Sequence, residues 1–418
     1  MNITDLFRSF DDGTATGNPT CAMEHVIIEN GALKSLNAIC ADYHGILMVS
    51  DQNTYKVCGK EVADILGKKI ISAVKFETGD APLIPNEEAI AAINAQFVNG
   101  VDLVLGVGSG VINDLCKIVS FEHKLPYYIV ATAPSMDGYA SAGSALILKG
   151  MKVTLNAAPP KAIIADTKVL KDAPLDMLQA GYGDIIGKYS CLNDWKLSAL
   201  INAEIFFPKV YEVTYETVDK VSTIAKEIVA RDEKAVGTLM EALVIVGLAM
   251  AYVGNSRPAS GSEHHFSHYF EITGILSNTP YLAHGIDVAY AAVLTAKLRE
   301  QILSAEPERR VFDEAAWKQE VNRIYSSSAD EVIALQKKMG WYWEDNSKKV
   351  LPKWDAIRKV LEEAPTQVQM RQMVEAVGMD YQEFLDFYGL EKIYDGLLYA
   401  KDLKDRYTVL WLYYEFFR

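Results

Sequence analysis

Three histidines fall within five positions of this chain, in Glu263-His264-His265-Phe266-Ser267-His268, although it holds only seven in 418 residues. On a helix His264 and His268 lie one turn apart on one face, while His265 points roughly 100° away. Sixteen residues later His284, in Ala283-His284-Gly285, stands at the start of another helical stretch. Asp184, in Gly181-Tyr182-Gly183-Asp184, is the candidate carboxylate, with glycines before it and a helical stretch after it. Two imidazoles and one carboxylate around an open position can hold zinc, nickel or iron as a Lewis acid. Taken singly, each side chain reads as an ordinary hydrogen-bonded residue; taken together they favour a metal. His25, His44 and His123 have no such company and receive no role, and His123, between Glu122 and Lys124, reads as exposed.

A second constellation suits a dinucleotide. The stretch Leu103–Val107 reads as a strand, runs into Gly108-Ser109-Gly110, and Asn113-Asp114 open a helix. Glycines let a backbone approach a pyrophosphate, and the first N–H groups of a helix offer donors where the dipole favours an anion. The pattern GVGSG is not a full GxGxxG and is weak alone. Asp51, just past a strand ending at Ser50, stands where an acid accepts from a ribose hydroxyl. Thr132-Ala133-Pro134-Ser135 ends the next strand with small hydroxyl side chains, which fit either a dinucleotide or a turn. Asp137 reads as the N-cap of a short turn or as an acceptor for a polyol hydroxyl beside the nicotinamide.

These groups need elements to position them. Gly45–Ser50, Lys69–Lys75, Leu103–Val107, Tyr127–Ala131 and Ala162–Ala165 read as strands, with helices at Lys60–Leu66, Glu87–Asn99 and from about Asn113. Alternation at this spacing predicts a parallel, Rossmann-like sheet, with nucleotides at the carboxyl ends of its strands. From about Asp172 the periodicity is helical, over Leu175–Ala203, Val218–Ala230, Asp232–Val253, His264–Glu271 and His284–Leu303. The expected organisation is an α/β domain over 1–165 followed by an all-α domain over 166–418, since this length exceeds one ordinary core.

Composition narrows the partners. A net charge of −14 without a concentrated basic patch predicts no nucleic acid and no anionic membrane surface. Five scattered cysteines without a CxxC pair predict reduced thiols and no cysteine metal site. No signal-like segment opens the chain, and the longest apolar run, Ala242–Val253, reads as a buried helix, so a cytoplasmic enzyme is expected. The Trp- and Tyr-rich tail reads as core or as an oligomer interface, a dimer first.

In this order the pieces resemble the iron-containing alcohol dehydrogenase and dehydroquinate synthase superfamily, and within it the bacterial branch of the sn-glycerol-1-phosphate dehydrogenases. The likeness is carried by GVGSGVIND (106–114), ATAPSMDGYAS (131–141), AGYGD (180–184), SRPASGSEHHFSH (256–268), AHG (283–285) and KDLKDRYTVL (401–410). SRPASGSEH followed four residues later by His is the most specific, because it separates this branch from the glycerol dehydrogenases. The resemblance implies that Gly110, Val111, Ile112, Asn113 and Asp114, with Thr132, Ala133, Pro134 and Ser135, contact NAD(H) or NADP(H). Ser141 would lie nearby, and Asp51 at the adenosine ribose. It further implies that Asp184, His264 and His284 hold one divalent metal, and that Asp137, Asp184 and His268 contact a small polyol or keto phosphate. The departures are GVGSG in place of three glycines, Tyr290 where a small residue is commoner, and the insert around Trp341–Asp345.

The implied reaction is the interconversion of dihydroxyacetone phosphate and sn-glycerol 1-phosphate, with Asp137 and His268 as the catalytic side chains and His268 as proton relay. Arg257, Lys188 and Lys149 are the cations weighed for the substrate phosphate. The alternatives are a glycerol or other polyol dehydrogenase, a lyase of the dehydroquinate synthase type, and a binding protein without catalysis.

Overall fold

The computed structural model describes every residue except 1–2, 12, 14–16, 18–22, 80 and 149–150. Cys21 and Lys149 lie outside the described residues. The other four cysteines are buried.

The N-terminal region is built on six parallel strands: β1 (His25–Glu29), β2 (Ile46–Asp51), β3 (Ile70–Phe76), β4 (Leu103–Gly108), β5 (Tyr127–Ala131) and, after a hairpin, β8 (Ala162–Asp166). Their order is β1-β8-β5-β4-β2-β3. The central strands β4, β5 and β8 are buried at every position, as expected where helices cover both faces of a parallel sheet. Edge strand β3 instead alternates half-buried and exposed residues. Ser50 on β2 lies opposite Val107 on β4, so Asp51 and Gly108 end neighbouring strands. The chain leaves β2 for β3 on one side and returns to β4 on the other, which makes this pair the switch point where such sheets bind ligands.

Two features were not anticipated. β1 adds an edge strand, and β6 (Gly143–Leu148) with β7 (Met151–Asn156) forms an antiparallel hairpin ahead of β8. The helical stretch anticipated over Leu175–Ala203 is two helices, Leu175–Ile186 and Lys188–Asn202, that meet at Gly187. The remaining chain is mostly helical, with long helices at Glu233–Val253, Ser262–Ser277, His284–Leu303 and Tyr381–Tyr399.

By contacts the chain forms two compact units, one of residues 1–181 and 223–255, the other of 182–222 and 256–418. The change from strands to helices, at the end of β8, is a change of element type; the contact units are interleaved along the chain. In the first unit, Glu233–Val253 is apolar enough to cross a membrane by composition, yet 72% of its most apolar window is buried as a core helix. Its Gly247 passes so close to the Asp137–Ala140 turn that a Cβ there would stand 2.8 Å from the Asp137 carbonyl.

In the second unit Tyr342, Trp411 and Tyr414 surround the buried Lys401, whose Nζ lies 3.7 Å from the Tyr414 ring centre. The unfamiliar Trp341–Trp343 turn is therefore part of the core, with Tyr342 buried and Trp343 exposed. Tyr290 is also packing: it stacks on Phe384 with ring centres 4.8 Å apart.

Candidate active site

Close backbone approach brings the candidate metal ligands together. Helices Leu175–Ile186 and His284–Leu303 cross at glycines, and a Cβ on Gly183 would stand 2.3 Å from the Gly285 carbonyl oxygen. Asp184 and His284 are the immediate chain neighbours of those two glycines. The third ligand comes from the first turn of Ser262–Ser277. The buried Asp194 anchors this turn: its Oδ2 accepts from Ser262 N at 2.7 Å, while Oδ1 accepts from Val409 N, also at 2.7 Å. One carboxylate thus caps two helices, Ser262–Ser277 and Val409–Phe416.

One donor atom each from Asp184, His264 and His284 lies within 4.8 Å of the others. His264 Nε2 is 3.6 Å from Asp184 Oδ1. That is too long for a hydrogen bond, but two donors each about 2.1 Å from a tetrahedral ion stand about 3.4 Å apart. The outer contacts also suit a metal. His264 Nδ1 lies 2.7 Å from Glu263 Oε1, and His284 Nδ1 lies 3.1 Å from Ser267 Oγ. Such partners fix the orientation of an imidazole ligand. The residues therefore fit a divalent cation. His268 completes the cluster, its ring centre 6.0 Å from that of His264 and 5.6 Å from that of His284.

The electrostatics agree with this donor set. Burial alone would raise the Asp184 pKa, but the Lys188 ammonium, 2.6 Å from Oδ1, and the two imidazoles outweigh it and hold the group near about 2. Burial, reinforced by Lys188, pushes His264 well below the usual imidazole range and keeps a lone pair available. Glu263 is pushed up to about 7 by burial. Of the three cations considered for a substrate phosphate, Arg257 is buried and donates to both oxygens of Glu204, at 2.8 and 2.7 Å. Lys188 stands beside the ligand set.

The candidate cofactor residues lie in the first unit. Gly110, Val111, Ile112, Asn113 and Asp114 form the opening of helix Gly110–His123, directly after β4. Gly108 is needed for helix packing, since a Cβ there would stand 2.6 Å from Ile112 Cβ. Thr132, whose N–H donates to the Gly108 carbonyl at 3.1 Å, starts the loop with Ala133, Pro134 and Ser135 after β5. A Cβ on Gly181 would stand 1.8 Å from the Pro134 carbonyl oxygen, so this loop and the Leu175–Ile186 helix touch backbone to backbone. Asp51 caps the short helix that follows β2, and its bonds from Asn53 N and Thr54 N, at 2.7 and 2.8 Å, both end on Oδ1.

Some placements have structural roles that the sequence did not signal. Asn113 is fully buried and accepts from Tyr127 OH at 3.1 Å, and the Asp114 carbonyl accepts from Ser144 Oγ at 2.7 Å. Asp137 opens a 3-10 turn, and Ser141 follows it. Glu263 and Asp194 were not picked out as site residues, and Lys188 was weighed only for a substrate phosphate, not as the partner of Asp184. Glu263 adjoins His264 and Lys188 follows Asp184 by one turn, which are the spacings that could have found them.

Residues 27–174 match the family model for iron-containing alcohol dehydrogenase. A glycerol-1-phosphate dehydrogenase [NAD(P)+] of Geobacillus thermodenitrificans is 32% identical, over 75% of this chain and 79% of the relative. Its counterpart in Halalkalibacterium halodurans is 37% identical, over 66% and 73%. The glycerol dehydrogenase structure of Schizosaccharomyces pombe superposes with a TM-score of 0.56 at 16% identity, covering 88% of this chain and 92% of that one, a likeness of fold. The chain belongs to the glycerol-1-phosphate dehydrogenase family, within the iron-containing alcohol dehydrogenases.

Proposed function

We propose that the protein interconverts dihydroxyacetone phosphate and sn-glycerol 1-phosphate, using a nicotinamide dinucleotide and one divalent cation held by Asp184, His264 and His284. The observation that carries this is the convergence of those three side chains, with His268 beside them, from distant parts of the sequence. A cation bound there supplies a Lewis acid that polarises the substrate carbonyl. NAD(P)H supplies the hydride.

The chain's own residues do the rest. His268, one helical turn from His264, gives a proton to the oxygen that gains charge, directly or through water, since an imidazole titrates near working pH. Asp184 and Asp137 accept from substrate hydroxyls. Lys188, fully buried 2.6 Å from Asp184 Oδ1, keeps that carboxylate ionised. On the dinucleotide side, Gly110 to Asp114 and Thr132 to Ser135 cradle the phosphates and nicotinamide, with Ser141 alongside. Asp51 keeps Oδ2 for the adenosine ribose, an arrangement that repels a 2′-phosphate and favours NADH. We propose zinc, nickel or iron as the metal, a cytoplasmic setting in keeping with five scattered cysteines that form no CxxC pair, and a homodimer. The exposed Leu390 and Tyr394 support self-association.

The test is NADH oxidation by metal-loaded protein with dihydroxyacetone phosphate and with dihydroxyacetone. A value of kcat/KM at least about a hundred-fold higher for the phosphate is expected, because a charged subsite left unpaired is heavily penalised. Equal rates would replace this reading with an unselective polyol dehydrogenase, and turnover without net NADH consumption would replace it with a lyase.

A further inference from the structure

Lys117 is fully buried on helix Gly110–His123, in the otherwise apolar run Leu115, Cys116, Ile118 and Val119. Its Nζ donates to the carbonyl of Gly138 at 2.8 Å and to that of Gly143 at 2.9 Å, and lies 3.3 Å from Ser141 Oγ. The acceptors bracket the turn that begins at Asp137. Asp114 Oδ1, one turn back on the same helix, is 3.9 Å away. A buried ammonium is costly unless all its donors are matched, and a methionine would fill the same volume without that cost. The charge therefore needs a reason at this position. The carbonyls of a turn that folds inward supply one, since they must find donors, and a single ammonium offers three.

We propose that Lys117 is a positioning residue for the dinucleotide site: its three N–H groups hold the 137–143 turn in the conformation that presents Asp137 and Ser141. The inference rests on the reading above that this turn contacts NAD(P)H. The turn has other supports, since Tyr139 OH donates to the Ala133 carbonyl at 2.7 Å and Gly247 packs against its backbone. Within the turn, Ser141 Oγ lies 3.0 Å from the Gly138 carbonyl oxygen and 3.3 Å from that of Gly143, and Lys117 bonds the same two carbonyls from the helix side.

The same geometry makes the turn sensitive to pH. Burial pushes the Lys117 amine down to about 8, with Asp114 and Asp137 opposing that shift. The other groups that face this region are Asp114, pushed up to about 6 by burial, and Tyr127, Tyr139 and Cys116, all raised by burial. Lys152 on β7 faces Asp114. Above about pH 8 the deprotonated amine keeps two N–H groups for three acceptors, so the turn loosens as pH rises.

The test is the dissociation constant of NADH, read from bound-NADH fluorescence on metal-loaded wild type and Lys117→Met between pH 7 and 9.5. At pH 7 the variant is expected to bind NADH about ten-fold more weakly, because a hydrogen-bonded charge is lost. Its KM for NADH should rise more than its kcat falls, and its metal content should match wild type. Wild-type affinity should fall above pH 8, whereas the variant's profile stays flat across that range. Equal affinity of variant and wild type, or a wild-type profile flat to pH 9.5, overturns the inference. If the variant does not fold, the wild-type profile alone decides. Wild type that binds no NADH at pH 7 removes instead the reading of the turn as a cofactor contact.

Discussion

Glu263 shows how much a single side chain can decide. It contributes no metal-binding atom, yet its carboxylate at 2.7 Å from His264 Nδ1 fixes which imidazole nitrogen faces Asp184. Glu263→Gln should weaken metal affinity by about 10- to 100-fold, read by competitive chelator titration, while the protein stays folded. His268→Gln should leave metal content intact and lower kcat by about 10²-fold or more in steady-state assays, the range typical of a lost proton-transfer group. The grouping of Asp184, His264 and His284 was legible in the sequence because clustered histidines are scarce in this chain and their helical spacing is informative. Glu263 and Lys117 were not, and of Lys188 only a phosphate role was considered, not its ion pair with Asp184. A lone charged residue beside a motif reads as solvated surface until the fold shows it buried. Lys117 did leave a trace, as the basic residue inside the apolar run Leu115–Val119.

Elements act on this site mainly through close approach. Gly183→Ala would place a methyl 2.3 Å from the Gly285 carbonyl and push apart the helices that carry Asp184 and His284. A loss of about 2 kcal/mol in urea unfolding is expected, the usual cost of overpacking, together with metal content below that of wild type. Asp194 serves two helices, so Asp194→Asn should cost about 2 kcal/mol through weakened charge-assisted bonds to Ser262 N and Val409 N. Because one of those helices carries His264, the same variant should also bind metal more weakly.

At this scale the parallel strands were legible, since doubly covered strands read as unbroken apolar runs. The β6–β7 hairpin was not, because Ala145–Leu148 is an unbroken apolar run that hides its pairing with the alternating Met151–Leu155. The Gly187 break was hidden for a related reason. Helical periodicity continues through it, and only the crowding of Val288, 2.4 Å from a Cβ at that position, shows why glycine is there.

For the molecule as a whole, the tail is a second core. Lys401 is buried beside Asp402, and Asp402 also accepts from Trp317 Nε1 at 2.9 Å and Tyr342 OH at 2.6 Å. Lys401→Met would leave that carboxylate without its counter-charge and should destabilise the protein by about 3 kcal/mol in chemical denaturation. The reading of the tail aromatics as core rather than a binding box rested on their helical spacing, and the cage around Lys401 is the packing that spacing implied. The interleaving of the units was not legible, because nothing in the composition of 223–255 distinguishes a helix that returns to the first unit from one that stays in the second.

That interleaving has a hereditary consequence. The chain passes from one unit to the other after residues 181, 222 and 255, so neither unit is one continuous stretch. A stop codon after 181 would strip away Thr223–Asn255, and with it the helix that Gly247 seats against the Asp137 turn. No single recombination breakpoint passes on both units whole, so descendants of this gene exchange the first unit intact only by carrying part of the second along.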